Sequence, residues 1–266
     1  MPKLPQPVGR FPESAIPGSA ILIDLHCHIL PDIDDGPRSW KESLAMARMA
    51  VEDGIRVIVA SPHLFRRRMV DLDALNEKAA ISARISQFQE KLAAEQIPLE
   101  ILPGCECPLS LESIELLGED RVMTINNGRR YLLLEMPELS IPPTTPDICF
   151  QLQAQGITPI ISHPERHMVF LQRPEKLLRF LDLGCLMQMT AGSLTGTFGR
   201  RVAKVSQMMV KKGYIQLLAS DAHSTGGRPP LLSQAVAKLG RLIGQNAALA
   251  MVTAIPEQII RGATLF

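Results

Sequence analysis

Short apolar runs alternate along the chain with longer segments of helical periodicity. The runs begin near residues 21, 55, 99, 131, 158, 186 and 214. Most are separated by a segment whose apolar positions recur at helical spacing and which is long enough for a crossover helix. Strands joined by helical crossovers run parallel. The pattern therefore predicts an α/β fold with seven parallel strands.

The segment after the first run illustrates the helical signals. Ser39 and Glu42 form a capping box, in which the two side chains satisfy exposed amides at a helix start. Apolar residues follow on one face, and Gly54 supplies the left-handed conformation favoured just beyond a last turn. We therefore expect a helix from Ser39 to about Asp53.

Six of the seven predicted strands end close to a histidine or a carboxylate. Five of the six histidines lie at these ends, together with four carboxylates, and the nine residues are His26, His28, Asp35, His63, Glu106, Glu135, His163, Asp221 and His223. Functional residues of βα barrels lie at the carboxyl ends of the strands. An open doubly wound sheet would spread such ends along a line, whereas a closed barrel lets them converge. We therefore expect a seven-stranded βα barrel, formed as a single domain by residues 21–266.

The first of these strand ends illustrates how a metal site is inferred. His26 and His28 share one face of an extended strand and can point at the same ion. Taken alone, the pair is equally compatible with solvent-facing histidines. The nine donors together favour two or three metal ions, and mixed imidazole and carboxylate ligation suits manganese, zinc or iron. Cys27, Cys105 and Cys107 lie beside donors, but they should face the opposite way and pack in the core.

Composition and charge exclude several other classes of protein. Of the 266 residues, 46% are hydrophobic and 21% are charged, and no apolar run approaches the roughly 18 residues of a membrane span. The net charge of +1 gives no general attraction to nucleic acid or to anionic membranes. Residues 1–20 lack the apolar segment of a signal peptide, which favours a flexible extension and a cytoplasmic protein. None of the five cysteines begins the Cys-x5-Arg loop of thiol-dependent phosphatases.

The ordered motifs resemble the PHP (polymerase and histidinol phosphatase) superfamily. The residues that carry the resemblance are Asp24-Leu-His-Cys-His28, Asp34-Asp35-Gly36-Pro37, Ser61-Pro-His63, Glu106, Leu134-Glu135, His163-Pro-Glu-Arg166 and Ala219-Ser-Asp-Ala-His223 with Arg228-Pro-Pro. More narrowly, and including the segment 190–199, they resemble the manganese-dependent protein-tyrosine phosphatases of capsule and exopolysaccharide synthesis. The resemblance extends from residue 21 to about residue 230.

The resemblance implies a distorted (β/α)7 barrel that holds a cluster of three metal ions. By position, one ion would be held by His26, His28, Glu106 and Asp221, a second by Glu106, Glu135 and His163, and a third by Asp35, His63 and His223. The sequence leaves open whether Asp34 or Asp35 is the ligand. The resemblance also suggests that Asp24 orients a ligand histidine, with a strand-end cap as the alternative. It suggests that Arg166 and Arg228 hold the phosphoryl oxygens, with plain surface arginines as the alternative.

The implied reaction is hydrolysis of a phosphomonoester. Two ions about 3.5–4 Å apart can share a hydroxide that attacks phosphorus in line. The resemblance also implies the substrate, a phosphotyrosine-bearing bacterial tyrosine kinase of polysaccharide synthesis. A small-molecule phosphatase of the histidinol-phosphatase type and a non-catalytic metal-binding module are the alternatives. Arg66–Arg68 could attract an acidic phosphorylated tail, or form a solvated loop, and the oligomeric state stays open.

Overall fold

The computed structural model describes residues 21–64 and 78–265. The predicted extension over residues 1–20 and the basic run Arg66–Arg68 lie outside the described residues. The strands are Leu22–Cys27 (β1), Ile55–Ala60 (β2), Glu100–Pro103 (β3), Glu106–Pro108 (β4), Tyr131–Glu135 (β5), Thr158–Ser162 (β6), Leu186–Thr190 (β7) and Leu217–Ala219 (β8). The helices are Trp40–Glu52 (α1), Lys78–Ala94 (α2), Leu111–Gly118 (α3), Thr145–Ala154 (α4), Met168–Gln172 (α5), Leu178–Asp182 (α6), Ala191–Thr195 (α7), Gly199–Lys211 (α8), Ser233–Ile243 (α9), Gln245–Ala250 (α10) and Ala254–Ile260 (α11).

The strands are parallel, as the alternation of strands and helices predicts, and they form two sheets. One sheet has the order β1-β2-β3 and the other β4-β5-β6-β7-β8. Isolated parallel bridges connect the sheets on both sides, between Cys27 and Ala222 and between His63 and Glu106. The carboxyl ends of the strands from both sheets therefore face the same region, and the predicted site residues follow them there.

The third predicted strand is divided into two. We expected one strand near residues 99–102 with Glu106 just beyond it, but β3 pairs with β2, and Glu106 begins β4, which pairs with β5. Gly104 lies at the break, where a Cβ atom would stand 2.4 Å from Val59 Cγ1. Only glycine fits this close approach without movement of its neighbour. The last strand is also shorter than expected, since it begins at Leu217 and not at Tyr214.

The signals at the two ends of α1 are confirmed. The Ser39 hydroxyl accepts a hydrogen bond from the Glu42 amide at the start of α1, and the Glu42 carboxylate accepts one from the Arg38 amide. Gly54 has a φ of 98° beyond the last turn. Within residues 21–64 and 78–265, no helix is both long and apolar enough to cross a membrane.

Two apolar clusters surround the strands and determine which side chains reach the site. The smaller cluster includes Leu133, Ile160 and Leu186, whose strand neighbours Leu134, Ile161 and Met187 belong to the larger cluster packed against the helices. Side chains two residues apart share a face of a strand. Glu135, Ser162 and Gln188 therefore continue the face of the smaller cluster, the first two at the carboxyl ends of β5 and β6 and Gln188 in the middle of β7.

Candidate metal centre

The donor atoms of all nine predicted metal ligands meet in one region of the fold. Seven of them form three groups with ligand atoms within 4.8 Å of one another: His28, Asp35, His63 and His223; His26, His28 and Glu106; and His63, Glu106 and Glu135. The other two lie beside these groups, with His163 Nε2 2.9 Å from Glu106 Oε1 and Asp221 Oδ1 3.4 Å from His26 Nε2. Eight of the nine side chains are buried or partly buried, and Asp35 is 45% exposed. The structure thus brings together residues that are up to 197 positions apart in the sequence, from His26 to His223.

The spacing of donors around His26 fits a shared cation. His26 Nε2 lies 3.1 Å from His28 Nε2, 3.4 Å from Glu106 Oε2 and 3.4 Å from Asp221 Oδ1. The two carboxylate distances exceed the usual N–H···O range of about 2.7–3.2 Å. Two ligands at about 2.0–2.1 Å from a tetrahedral ion are separated by about 3.3–3.4 Å. These atoms are therefore spaced as the ligands of one metal ion are.

Glu106 and His63 connect the groups to one another. His63 Nδ1 lies 3.3 Å from both Glu106 Oε2 and Glu135 Oε2, while His63 Nε2 lies 3.5 Å from Asp35 Oδ1. The other oxygen of Glu106, Oε1, is 2.9 Å from His163 Nε2. Glu106 thus faces two sides of the site, as the resemblance suggests. His63 likewise faces Asp35 through Nε2 and Glu106 and Glu135 through Nδ1. The resemblance, in contrast, assigns His63 only to the ion held with Asp35 and His223.

The structure distinguishes the two adjacent aspartates. Asp35 Oδ1 lies 3.4 Å from His223 Nε2 and 3.5 Å from His63 Nε2, within one of the donor groups. Asp34 Oδ2 lies 2.7 Å from Nδ1 of His28 and accepts a hydrogen bond from the His63 amide. Asp35 therefore lies among the candidate donors, and Asp34 holds the ring of a candidate ligand histidine.

Gln188 holds the ring of His26, a role that is not among the expectations from the sequence. His26 Nδ1 donates to Gln188 Oε1 over 2.7 Å, which directs the Nε2 lone pair towards the other donors. The expectation for Asp24 was wrong, because its carboxylate accepts from the His26 and Ser220 amides and the Ser220 hydroxyl, and not from an imidazole. A signal for Gln188 existed, since it is the single amide side chain in the apolar run Leu-Met-Gln-Met-Thr.

The carboxylates of the site are held in their charged form. Burial opposes ionisation of Glu106, but His26 and His163 outweigh it and keep the pKa of this carboxyl well below its usual range. The same balance, with burial overcome chiefly by His26 and Arg166, lowers the pKa of Asp221. Charged carboxylates are the form that binds a metal ion.

The pKa values of two histidines of the site, His28 and His223, are shifted in opposite directions. Burial disfavours the charged form of His28, but Asp34 and Glu106 outweigh burial and raise its pKa to about 10. Burial, reinforced by the positive charge of His28, lowers the pKa of His223 to about 4. His223 Nε2 is buried and makes no hydrogen bond to the described residues. The carboxylates of the centre thus stabilise positive charge. His223 Nε2 is an unprotonated nitrogen that could bind a cation.

Two of the candidate ligands have backbone conformations that are rare outside glycine. His163 has φ 34° and Asp221 has φ 52°, in the left-handed region. His163 directly follows β6, and Asp221 lies two residues beyond β8. Such conformations cost about 1–3 kcal/mol each and concentrate at functional sites. Both residues thus combine a rare backbone conformation with a side chain among the candidate donors.

Both predicted arginines contact the site through one carboxylate. Arg166 Nη2 donates to Asp221 Oδ2 over 2.5 Å, and Arg228 Nη1 donates to the same oxygen over 3.3 Å. The ring of Phe198 lies 4.6 Å from the Arg166 guanidinium carbon. Both arginines line a cavity of about 370 Å³ that is also lined by Asp35, His63 and Glu135. Asp221 thus connects the metal donors, through Oδ1, to two cations that face the cavity, through Oδ2.

The remaining histidine, His167, is hydrogen-bonded to the backbone, and three cysteines next to the donors are packed in the core. His167 accepts a hydrogen bond from the Val169 amide and donates to backbone carbonyls. Cys27, Cys105 and Cys107 are buried free thiols in the larger apolar cluster, which confirms that they pack in the core.

Comparisons with known proteins identify the family of the chain. The family model described as capsular polysaccharide synthesis, CpsB/CapC, matches residues 22–261. The chain is 34% identical to the tyrosine-protein phosphatase YwqE of Bacillus subtilis, over 92% of this chain and 94% of that protein. It is 28% identical to the tyrosine-protein phosphatase CpsB of Streptococcus pneumoniae, over 90% of this chain and 98% of that protein.

A solved structure also matches over nearly the full length of both chains. It comes from crystallographic work on YwqE from Bacillus subtilis and CpsB from Streptococcus pneumoniae, described there as metal-dependent tyrosine phosphatases. The TM-score is 0.86 at 34% identity, covering 92% of this chain and 96% of that chain. From the match to the family model and the identity to these relatives, this chain belongs to the CpsB/CapC family of capsular polysaccharide synthesis.

Proposed function

We propose that this chain is a metal-dependent protein-tyrosine phosphatase. The observation that carries the proposal is the set of ligand-spaced donors beside two arginines that share Asp221 Oδ2. Membership of a family whose members are named tyrosine-protein phosphatases supports the same reaction. The two parallel sheets, bridged on both sides, support a distorted (β/α)7 barrel of the PHP type, with residues 21–266 as one domain after a flexible extension.

The nine donors are proposed to hold up to three ions, with manganese as the working metal. The set consists of His26, His28, Asp35, His63, Glu106, Glu135, His163, Asp221 and His223. It contains imidazole and carboxylate donors without a thiolate, a mixture that suits manganese and also accommodates zinc or iron. When bound, such ions supply Lewis-acid activation of water and polarisation of the phosphoryl oxygens.

The residues of the chain itself bind and orient the substrate. Arg166 and Arg228 bind phosphoryl oxygens, because a planar guanidinium presents paired donors to them and offsets charge that develops in the transition state. Asp221 Oδ2 keeps both guanidinium groups at the cavity before substrate arrives. Gln188 and Asp34 fix the rings of His26 and His28, so that the donor positions form before the substrate binds.

The proposed substrate is a phosphotyrosine-bearing tyrosine kinase of capsular or exopolysaccharide synthesis. This follows from the capsular family of the chain and from the tyrosine-protein phosphatase activity for which its relatives are named. A cytoplasmic location is proposed together with this substrate.

The test is hydrolysis of a phosphotyrosyl peptide by purified protein supplied in turn with manganese, zinc and iron. We expect phosphate release that is highest with manganese and is lost in His63→Ala and Glu106→Ala. Elemental analysis of the same samples should show fewer ions per chain in both variants. The proposal is wrong if the wild type releases no phosphate with any of the three metals, or if both variants retain full activity.

A second set of variants separates catalysis from metal binding alone. Arg166→Ala combined with Arg228→Ala should abolish turnover while the ions are retained, because neither arginine is a metal ligand. Arg173→Ala is the matched control, since Arg173 is exposed and does not line the cavity. A wild type that binds three ions and hydrolyses no phosphomonoester would indicate a non-catalytic metal-binding module.

A further inference from the structure

The cavity at the metal centre has a charged part and an apolar part. The charged part contains the metal donors with Arg166 and Arg228, where the phosphate is proposed to bind. The apolar lining residues are Met136, Leu139, Ile161, Pro164, Met168 and Phe170. A ligand that fills the cavity must therefore join a phosphate to an apolar body.

Two of the apolar residues are unusually exposed. Leu139 is 72% exposed and Met168 is 46% exposed, and only three other large apolar side chains of the described residues, Ile21, Leu111 and Phe150, are comparably exposed. Those three do not line the cavity. Single exposed apolar residues are common on protein surfaces, but an exposed Leu and Met together at the edge of a cavity are available to contact a ligand.

The edge is held in place by His167. Its Nε2 donates to the carbonyl of Pro137 over 2.9 Å and to that of Ser140 over 3.2 Å, and its Nδ1 accepts from the Val169 amide. The Met168 amide also donates to the Glu138 carbonyl over 3.1 Å. The segment that carries Leu139 is thus fastened to the start of α5, which carries Met168, so the two side chains are positioned together.

We propose that Leu139 and Met168, here called the apolar rim, contact the aromatic ring of the substrate and make the site prefer aryl over alkyl phosphomonoesters. This inference rests on the proposed function. In an aryl phosphate, the ring is attached to the ester oxygen of the phosphate. A phosphate held by the two arginines therefore places the ring next to the apolar part of the cavity.

The chemistry of the two side chains suits a ring more than an alkyl chain. A flat aromatic group buries more area against a leucine than a short alkyl group does. The thioether of methionine also makes favourable contacts with aromatic rings and adapts its shape to them. The rim should therefore contribute to aryl binding without affecting how the phosphate itself is held.

The test compares two non-hydrolysable ligands that share a phosphonate and differ in the attached group. Binding of phenylphosphonate and of methylphosphonate is measured by calorimetry on manganese-loaded wild type and on the double variant Leu139→Ala/Met168→Ala. We expect the dissociation constant of phenylphosphonate to rise about tenfold in the variant, a loss of about 1.4 kcal/mol. The dissociation constant of methylphosphonate should change less than about twofold.

Two controls address folding and specificity. Leu111→Ala/Phe150→Ala removes two equally exposed apolar side chains away from the cavity and should leave both dissociation constants unchanged. Leu139→Met/Met168→Leu keeps an apolar rim and should retain the preference for phenylphosphonate. Thermal unfolding of each variant checks that the fold is retained.

The outcomes separate this inference from the proposed function. Equal weakening of both ligands in the rim variant, or no weakening of phenylphosphonate, overturns the apolar rim as a specificity element. A wild type that binds phenylphosphonate more tightly than methylphosphonate but hydrolyses no phosphomonoester overturns the proposed function and leaves the rim intact. A selective loss of phenylphosphonate binding in the rim variant supports the rim.

Discussion

Replacing Gln188 should weaken the metal centre although Gln188 is not itself a ligand. Its Oε1 accepts the 2.7 Å hydrogen bond from His26 Nδ1, both side chains are completely buried, and Gln188 Nε2 makes no hydrogen bond within the part of the chain that the structure describes. Gln188→Met preserves the volume of the side chain and removes the acceptor. The variant thus isolates the hydrogen bond to His26.

The magnitude follows from the N–H group left behind. A buried donor without its partner costs about 1–3 kcal/mol. In the variant, His26 can avoid this cost only by turning its ring or by moving the hydrogen atom to Nε2, and either change removes the Nε2 lone pair from the site. The affinity for the ion at His26 should therefore fall by about 10–100-fold, or about 1.4–2.7 kcal/mol.

The assay is a metal titration. Equilibrium dialysis of apo-protein against manganese, followed by elemental analysis, gives the number of bound ions and their dissociation constants. Gln188→Met should show one weakened ion, Gln188→Glu should keep the acceptor and near wild-type binding, and the exposed Gln258→Met should behave as wild type. Wild-type affinity for every ion in a folded Gln188→Met protein would refute the reasoning.

Two further predictions concern other contacts. Phe198→Leu removes the ring that lies 4.6 Å from the Arg166 guanidinium carbon, a contact of about 1 kcal/mol, so kcat/KM on a phosphotyrosyl peptide should fall about fivefold. Phe198→Tyr keeps the ring and should retain activity. Equal activity in both variants would contradict this. Asp53 accepts hydrogen bonds from the Leu232 and Ser233 amides at the start of α9, so urea unfolding of Asp53→Ala should show a loss of about 1–2 kcal/mol without loss of activity.

The positions of the strands and most of the candidate ligands could be predicted because their signals are local. An apolar run that ends in His-Cys-His places His26 and His28 on one face through the two-residue repeat of a strand, whatever the rest of the chain does. The same holds for Ser39 and Gly54 at the ends of α1, since capping depends on residues within one or two turns.

The division into β3 and β4 was predictable only in part. Pro103-Gly104 is a local signal for the end of the run Leu99-Glu-Ile-Leu102, but no nearby residue indicates that Glu106 begins a second strand. What divides them is that Gly104 meets Val59 on a neighbouring strand, and that Glu106 pairs onward with β5. Pairing partners and close packing depend on the whole sheet, so the sequence of one strand does not contain them.

The sequence by itself therefore determined which residue types stand at the strand ends, and with them the kind of chemistry that the site supports. Only the tertiary structure decided how these residues divide their roles. Asp34 and Asp35 are adjacent and identical, yet one holds a ring nitrogen of His28 and the other faces His63 and His223. Gln188 reaches His26 across 162 positions. Such roles depend on directions in space between distant segments, which are fixed only when the strands are assembled side by side.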